Sequence, residues 1–162
     1  RDGQRMTAYS FSGYWKDVGT IESLWEANMD LLKPAPEIDL HDKKFRIYAR
    51  NMGYPPQYID QSARVENCLA TEGCVIRGEA EHSVLSSDVT VEAGARVIDS
   101  VIMPGACIKA GAQVVRAIVS ENAVVGAGAR VGEEQGLIAV VGQGAVVPEN
   151  AVVAAGEQFA AQ

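Results

Sequence analysis

Three units of seventeen residues follow one another without a gap in the middle of the chain: SVLSSDVTVEAGARVID (83 to 99), SVIMPGACIKAGAQVVR (100 to 116) and AIVSENAVVGAGARVGE (117 to 133). The triplets Ala93-Gly94-Ala95, Ala110-Gly111-Ala112 and Ala127-Gly128-Ala129 fall in register. Large aliphatics recur within each unit at steps of six, six and five, from Leu85, Val91 and Val97 to Val119, Val125 and Val131. Two positions before each stands a small or β-branched residue, as Ser83, Val89 and Ala95 do in the first unit. Side chains alternate between the faces of a strand, so residues two apart point the same way. The spacing therefore predicts three short strands per unit, each turning at a Gly, Asn or Pro-Gly corner, with one large and one small residue facing inward. Such coils stack at about 4.8 Å, pairing their backbones and burying a continuous aliphatic column. The expected fold is mainly β, a parallel β-helix of about six coils with irregular end coils as caps.

The rhythm extends in both directions. Upstream, CLATEGCVIRGEAEHSVL keeps it with one residue missing, which pairs Val75 with Ile108 and Gly78 with Gly111. The same alignment makes Cys74 and Cys107 equivalent two coils apart, about 9 to 10 Å, too far for a disulfide. Downstream, EEQGLIAV interrupts the pattern before Val141, Val147 and Val153 resume it. With Cys68 the cysteines number three, without a CxxC pair or nearby histidines. That argues against a disulfide framework and a zinc site, and for reduced thiols.

The 14 basic and 21 acidic side chains, net charge -7, are mixed along the 162 residues with no basic run that could track a phosphate backbone. No nucleic-acid partner is expected. The most apolar window, GLIAVVGQGAVV, is broken by Gln143 and glycines and falls short of the roughly 18 residues of a membrane span. No membrane partner is expected, and a cytoplasmic location is. The opening RDGQRM lacks the sections of a signal peptide, and the chain reads as a piece of a longer protein.

Residues 1 to 56 share none of the repeat. Thr20 reads as an N-cap, Glu22 places favourable charge in the first turn, and Leu24, Ala27, Met29, Leu31 and Leu32 form an apolar stripe that ends at Pro34. The stretch PAPEIDLHDKKFRIYARNMGYPP is a connector whose four prolines keep helix out. A helix of about 13 residues is marginal in water unless it packs on something. Tyr9, Phe11, Tyr14, Trp15 and Trp25 offer more aromatic surface than one helix can bury against itself, so the segment reads as part of a larger domain.

The six-residue step with its [LIV]-x-x-x-[STAV] rhythm resembles the hexapeptide-repeat family over roughly residues 57 to 156. That resemblance implies left-handed coils, although parallel crossovers are otherwise right-handed. The run GYWKDVGTIESLWEAN resembles the end of the catalytic domain of sugar-nucleotidyltransferases, where an aromatic-x-D-x-G-T stretch leads into a helix near the sugar phosphate and metal. Together with NMDLLKPAPEIDL, the paired prolines of NMGYPPQYI and the β-helix, it is similar to the bacterial glucose-1-phosphate adenylyltransferase family.

The resemblance implies three segments: residues 1–35 as a short helix-containing fragment of an α/β nucleotidyltransferase domain, 36–56 as a proline-containing linker, and 57–158 as a left-handed β-helix. It implies ATP and glucose 1-phosphate as substrates of the intact enzyme, ADP-glucose for glycogen synthesis as product, and a homotetramer. It implies Mg²⁺ as cofactor, with Asp17 as a ligand. Regulation by phosphorylated metabolites in that family makes Lys43, Lys44, Arg46 and Arg50 a candidate effector-anion cluster. No catalytic residue is expected in this chain, because the family's GGxGTRL loop and its catalytic lysine and aspartate segments have no counterpart here, and the chain alone should be inactive. By the residues themselves, Asp17-Val18-Gly19-Thr20 could be a loop that merely starts a helix, and a basic run of this length is usually a solvated face. His82 is either the general base of a hexapeptide acyltransferase or a solvated corner. An acyltransferase, another sugar-phosphate nucleotidyltransferase and a pure assembly module stand as alternatives.

Overall fold

A computed structural model describes residue 3 and residues 5–48 and 52–161. The repeat forms three parallel sheets of six strands each, one strand per coil. The first face contains Tyr58–Ile59, Val75–Ile76, Thr90–Val91, Cys107–Ile108, Val124–Val125 and Val146–Val147. The second contains Arg64–Glu66, Glu79–Glu81, Arg96–Ile98, Gln113–Val115, Arg130–Val131 and Val152–Val153. The third contains Leu69–Ala70, Val84–Leu85, Val101–Ile102, Ala117–Val119, Ala139–Val141 and Gln158–Phe159.

The two inward positions per strand are those the spacing predicts. Leu85, Val91, Val97, Ile102, Ile108, Val114, Val119, Val125 and Val131 are fully buried, and so are Ser83, Val89, Ala95, Ser100, Ala106, Ala112, Ala117, Ala123 and Ala129. The two buried serines do not break the apolar column. The Ser83 hydroxyl donates to the Glu81 carbonyl at 2.7 Å and accepts from the Ser100 amide at 3.1 Å, and Ser100 repeats the arrangement with Ile98 and Ala117. Each buried hydroxyl thus replaces the water it gives up.

Upstream the alignment differs from the expectation. Val75 pairs with Thr90, which pairs with Cys107, while Ile76 stacks with Val91 and Ile108. Two residues are missing from that coil's first corner, not one: Arg77 and Gly78 join strands that are joined by Glu92 to Ala95 in the next coil. Cys74 therefore lies inside the column, fully buried, and Cys107 lies on the outer side of its strand. The two cysteines are not equivalent, and Gly78 aligns with Ala95 and Ala112 instead of Gly111.

The outer sides of the three faces differ in chemistry. The second carries Glu79, Arg96 and Arg130, with Arg96 Nε 2.8 Å and Arg64 Nη1 3.4 Å from Glu79 carboxylate oxygens. The third carries Val84, Val101, Ile118 and Val140, so it is apolar on both sides. A helix covers it. Helix α1, Ile21–Asp30, lays Met29 against this outer side, joined by Leu32 just past its end, with Ile21, Leu24 and Trp25 packed at the margins. Burying Met29 and Leu32 there is worth about 1.5–3 kcal/mol each, which supplies the packing a short helix lacks in isolation.

Thr20 caps α1 as its sequence indicates, and Ser23 completes a reciprocal capping box: the Thr20 hydroxyl accepts from the Ser23 amide at 3.1 Å, and the Ser23 hydroxyl accepts from the Thr20 amide at 3.0 Å. The helix is shorter than expected. It stops at Asp30, before Pro34, because the amides of Leu31 and Leu32 close tighter turns onto Asn28 and Met29. Among the described residues, no helix is long and apolar enough to cross a membrane.

Candidate functional site

The segment from Tyr14 to Thr20 is tied to α1 at both of the helix's ends. At the near end, Asp17 Oδ1 accepts the Gly19 amide at 3.0 Å, a side-chain turn that feeds the chain into the Thr20 cap. The Asp17 carboxylate is exposed, and only one of its oxygens takes part in that turn. At the far end, Asp30 collects three donors: Lys33 Nζ at 2.7 Å, Lys16 Nζ at 3.0 Å and the Tyr14 hydroxyl at 2.9 Å. Lys16 also reaches Glu26 at 3.1 Å.

An acidic residue in the last turn of a helix opposes the helix dipole, so Asp30 depends on these donors. The Lys33 ammonium, then that of Lys16, holds its carboxyl well below the usual carboxylate range, against the opposing effect of desolvation. Asp30 in turn raises Lys16. A carboxyl depressed in the folded state contributes stability that is fully present above its unfolded value and lost as pH falls through the folded value. Amide exchange over Ile21–Asp30 is therefore expected to accelerate, relative to intrinsic rates, as pH falls from about 5 to about 2, and Asp30→Asn should abolish that dependence. Identical profiles for the two proteins would show that the hub does not hold the helix.

The middle of α1 meets one edge of the β-helix. The Trp25 indole Nε1 donates to the Asp99 carbonyl at 2.7 Å, and the Arg116 guanidinium lies 4.7 Å from the ring centroid. Arg116 Nε donates to the carbonyl of Gly136, in the loop that interrupts the repeat, at 3.1 Å. His82 Nδ1 is hydrogen-bonded to the Asp99 carboxylate. His82, Asp99 and Arg116 occupy one corner in three successive coils, each with left-handed backbone at φ of 43°, 48° and 49°. His82 lines a cleft whose other wall is α1, through Trp25, Glu26 and Met29, together with Lys16 from the segment before the helix.

The sequence-derived candidates do not converge on one place. Lys43, Lys44 and Arg46 are exposed in a stretch of turns, where Lys43 and Arg46 share a shallow concavity with Leu40, His41 and Tyr48. Two side-chain turns shape it, His41 N to Asp39 at 2.8 Å and Lys44 N to Asp42 at 2.7 Å. Arg50 lies outside the described residues. Among the described residues, no group of three or more His, Cys, Asp or Glu side chains is placed to hold a metal ion. The contacts of Trp25, Asp99 and Arg116 escaped the sequence reading. One signal did exist: Val84, Val101 and Ile118 recur one position before an inner aliphatic, and such doubled apolar positions mark a strand buried on both sides.

Residues 56–140 match the model of the GlmU-like, C-terminal hexapeptide family, and residues 1–34 match that of nucleotidyl transferases. The chain is similar to the glucose-1-phosphate adenylyltransferase of Bacillus cereus (strain Q1), 59% identical over 105 residues, which is 65% of this chain and 28% of that protein. Proteins of the same name from Bacillus mycoides (strain KBAB4) and Bacillus anthracis are 58% identical over the same share of each chain. The chain thus spans 28% of the length of the curated relatives it matches. With the repeat, the three-faced coil and a family model over more than half of its residues in agreement, the chain belongs to the GlmU-like C-terminal hexapeptide family.

Proposed function

We propose that this chain is the C-terminal portion of a cytoplasmic glucose-1-phosphate adenylyltransferase. The observation that carries the reading is 59% identity over 105 residues to a protein of that name, with a nucleotidyl transferase match over residues 1–34, which include α1. In the reaction, an oxygen of the sugar phosphate forms a bond to the α-phosphorus of ATP while the bond from that phosphorus to the departing pyrophosphate breaks. Residues 1–35 then close the catalytic domain, 36–56 form a linker, and 57–158 form the β-helix. The exposed Tyr9, Phe11 and Trp15 supply apolar surface for the rest of that domain to cover.

Asp17 fits Mg²⁺ as one ligand. Its carboxylate is exposed with an oxygen outside the local turn, and Mg²⁺ takes few protein carboxylates and completes its oxygen shell with phosphates and water. The ion, when bound, neutralises charge on the reacting phosphates. What this chain contributes is orientation: the Gly19 amide fixes the carboxylate, and the capping box fixes Gly19 relative to α1. Lys43, Lys44, Arg46 and Arg50 serve as the effector-anion cluster, and the β-helix carries homo-oligomerisation.

The test is ADP-glucose synthesis from ATP and glucose 1-phosphate by the longer protein encoded around this chain. Asp17→Ala should lower the rate at least about tenfold, with partial recovery at high Mg²⁺. An unchanged rate removes Asp17 from the metal site. His82 beside Asp99 favours one other reading, an acyltransferase with His82 as base. Inactivity with these substrates, together with acetyl-CoA binding to this chain, would replace the first reading by the second.

A further inference from the structure

Apolar packing alone leaves α1 free to slide and rotate on the third face, because the hydrophobic effect has no direction. Trp25 removes that freedom. Its N–H is aimed at a single carbonyl, that of Asp99, at 2.7 Å, and its face is covered by Arg116 from the next coil. Both partners stand at left-handed corners; the Asp99 carbonyl is placed by backbone, while Arg116 reaches the ring through its side chain. Arg116 is itself held by the Gly136 carbonyl, and the Asp99 carboxylate by His82. A hydrogen bond in one direction and a cation over the ring in another fix both the height of α1 and its rotation.

The consequence reaches the Asp17 turn. Thr20 lies five residues before Trp25, about 7.5 Å along the helix axis. Between them the chain is continuous helix with a reciprocal cap, and beyond the cap Gly19 is bonded to Asp17. The helix therefore carries any displacement at Trp25 to the carboxylate.

We propose that Trp25 is a positioning residue, indexing α1 on the β-helix corner formed by Asp99 and Arg116 so that Asp17 is presented to the phosphates at a fixed place. This rests on the adenylyltransferase reading. It gives the β-helix an indirect part in the chemistry, through the carbonyl and the guanidinium that hold an indole of α1.

Trp25→Phe keeps an aromatic face under Arg116 and deletes the N–H donor, and Arg116→Gln does the reverse. In the longer protein each should lower kcat about tenfold and raise the Mg²⁺ concentration for half-maximal rate, with KM for ATP within about twofold, since small misplacements of a reacting constellation are costly. In the chain itself, amide exchange over Ile21–Asp30 should accelerate while exchange in the buried strands stays put. A purely structural role would lower the unfolding temperature and leave kcat and the Mg²⁺ dependence alone, which overturns the proposal. So does unchanged α1 exchange in both variants. A wild-type longer protein that makes no ADP-glucose sinks the functional reading and the positioning role with it. An active one whose kcat is unmoved by Trp25→Phe sinks the positioning role alone.

Discussion

Ile108→Ala is expected to destabilise the chain by about 2–5 kcal/mol, the range for removing a large aliphatic from a closed core. Ile108 is fully buried and stacks in register on Val91 in the coil before and Val125 in the coil after. A coil is pinned by hydrogen bonds to both neighbours, such as Lys109 N to Val125 O at 2.9 Å and Glu92 N to Ile108 O at 2.9 Å, so the strands cannot close over the gap. Stability in a stacked architecture is a sum over units and their interfaces. The loss should therefore be local: exchange protection falls most at Val91, Ile108 and Val125 and least at Val147 and Val153. Chemical denaturation of the variant against wild type measures the total, and exchange measures its distribution. A loss below about 1 kcal/mol would mean that the column relaxes around the cavity and that its packing is looser than its burial indicates.

The inner column was legible because two periodicities coincide there. The alternation of a strand says which residues share a face, and the seventeen-residue repeat says which residues lie above one another. Leu85, Ile102 and Val119, for example, follow from spacing alone. The cap of α1 was legible for a different reason, since Thr20 and Ser23 act within one turn of chain.

What the sequence withheld depends on contacts with no local signature. Trp25 and Asp99 are 74 positions apart, and a tryptophan on a short amphipathic helix gives no sign of the carbonyl it will meet. The covering of the third face by α1 was visible only in the doubled aliphatics Val84-Leu85, Val101-Ile102 and Ile118-Val119. Exposed aliphatics on a β-helix flank suit a subunit contact as well as an internal helix, and only the fold chooses between them. Of the candidate site, the turn at Asp17 was readable because the D-x-G-T stretch is local, while among the described residues no group of three or more His, Cys, Asp or Glu side chains is placed to hold a metal.

The upstream coil was misaligned for a physical reason, and that reason carries the second large expected effect. Val75 and Ile76 are adjacent aliphatics, and CVIRGEAEHSVL lets either take the inner position, with one residue missing or with two; the fold puts Ile76 inside. In the fold, the shortened corner Arg77-Gly78 pulls the backbone hard against the full-length corner of the next coil. A Cβ on Gly78 would lie 2.4 Å from the Ala95 carbonyl oxygen and 2.6 Å from that of Glu92. Neither atom can rotate away, because both are backbone and the Ala95 oxygen also accepts the Glu79 amide at 2.8 Å. Gly78→Ala should therefore cost about 3 kcal/mol, the upper part of the usual range for overpacking. Gly111→Ala is the control. Gly111 sits at φ +69° with nothing within 4 Å of its Cβ position, so alanine there meets only the left-handed penalty of about 1–2 kcal/mol. If the two variants unfold at the same denaturant concentration, the corner relaxes around the added Cβ and crowding costs no more than the left-handed penalty, since Gly78 itself is not in the left-handed region. If Gly78→Ala is the weaker protein, close approach of backbone to backbone is what restricts this coil to glycine, at a place where the sequence repeat gives no warning of it.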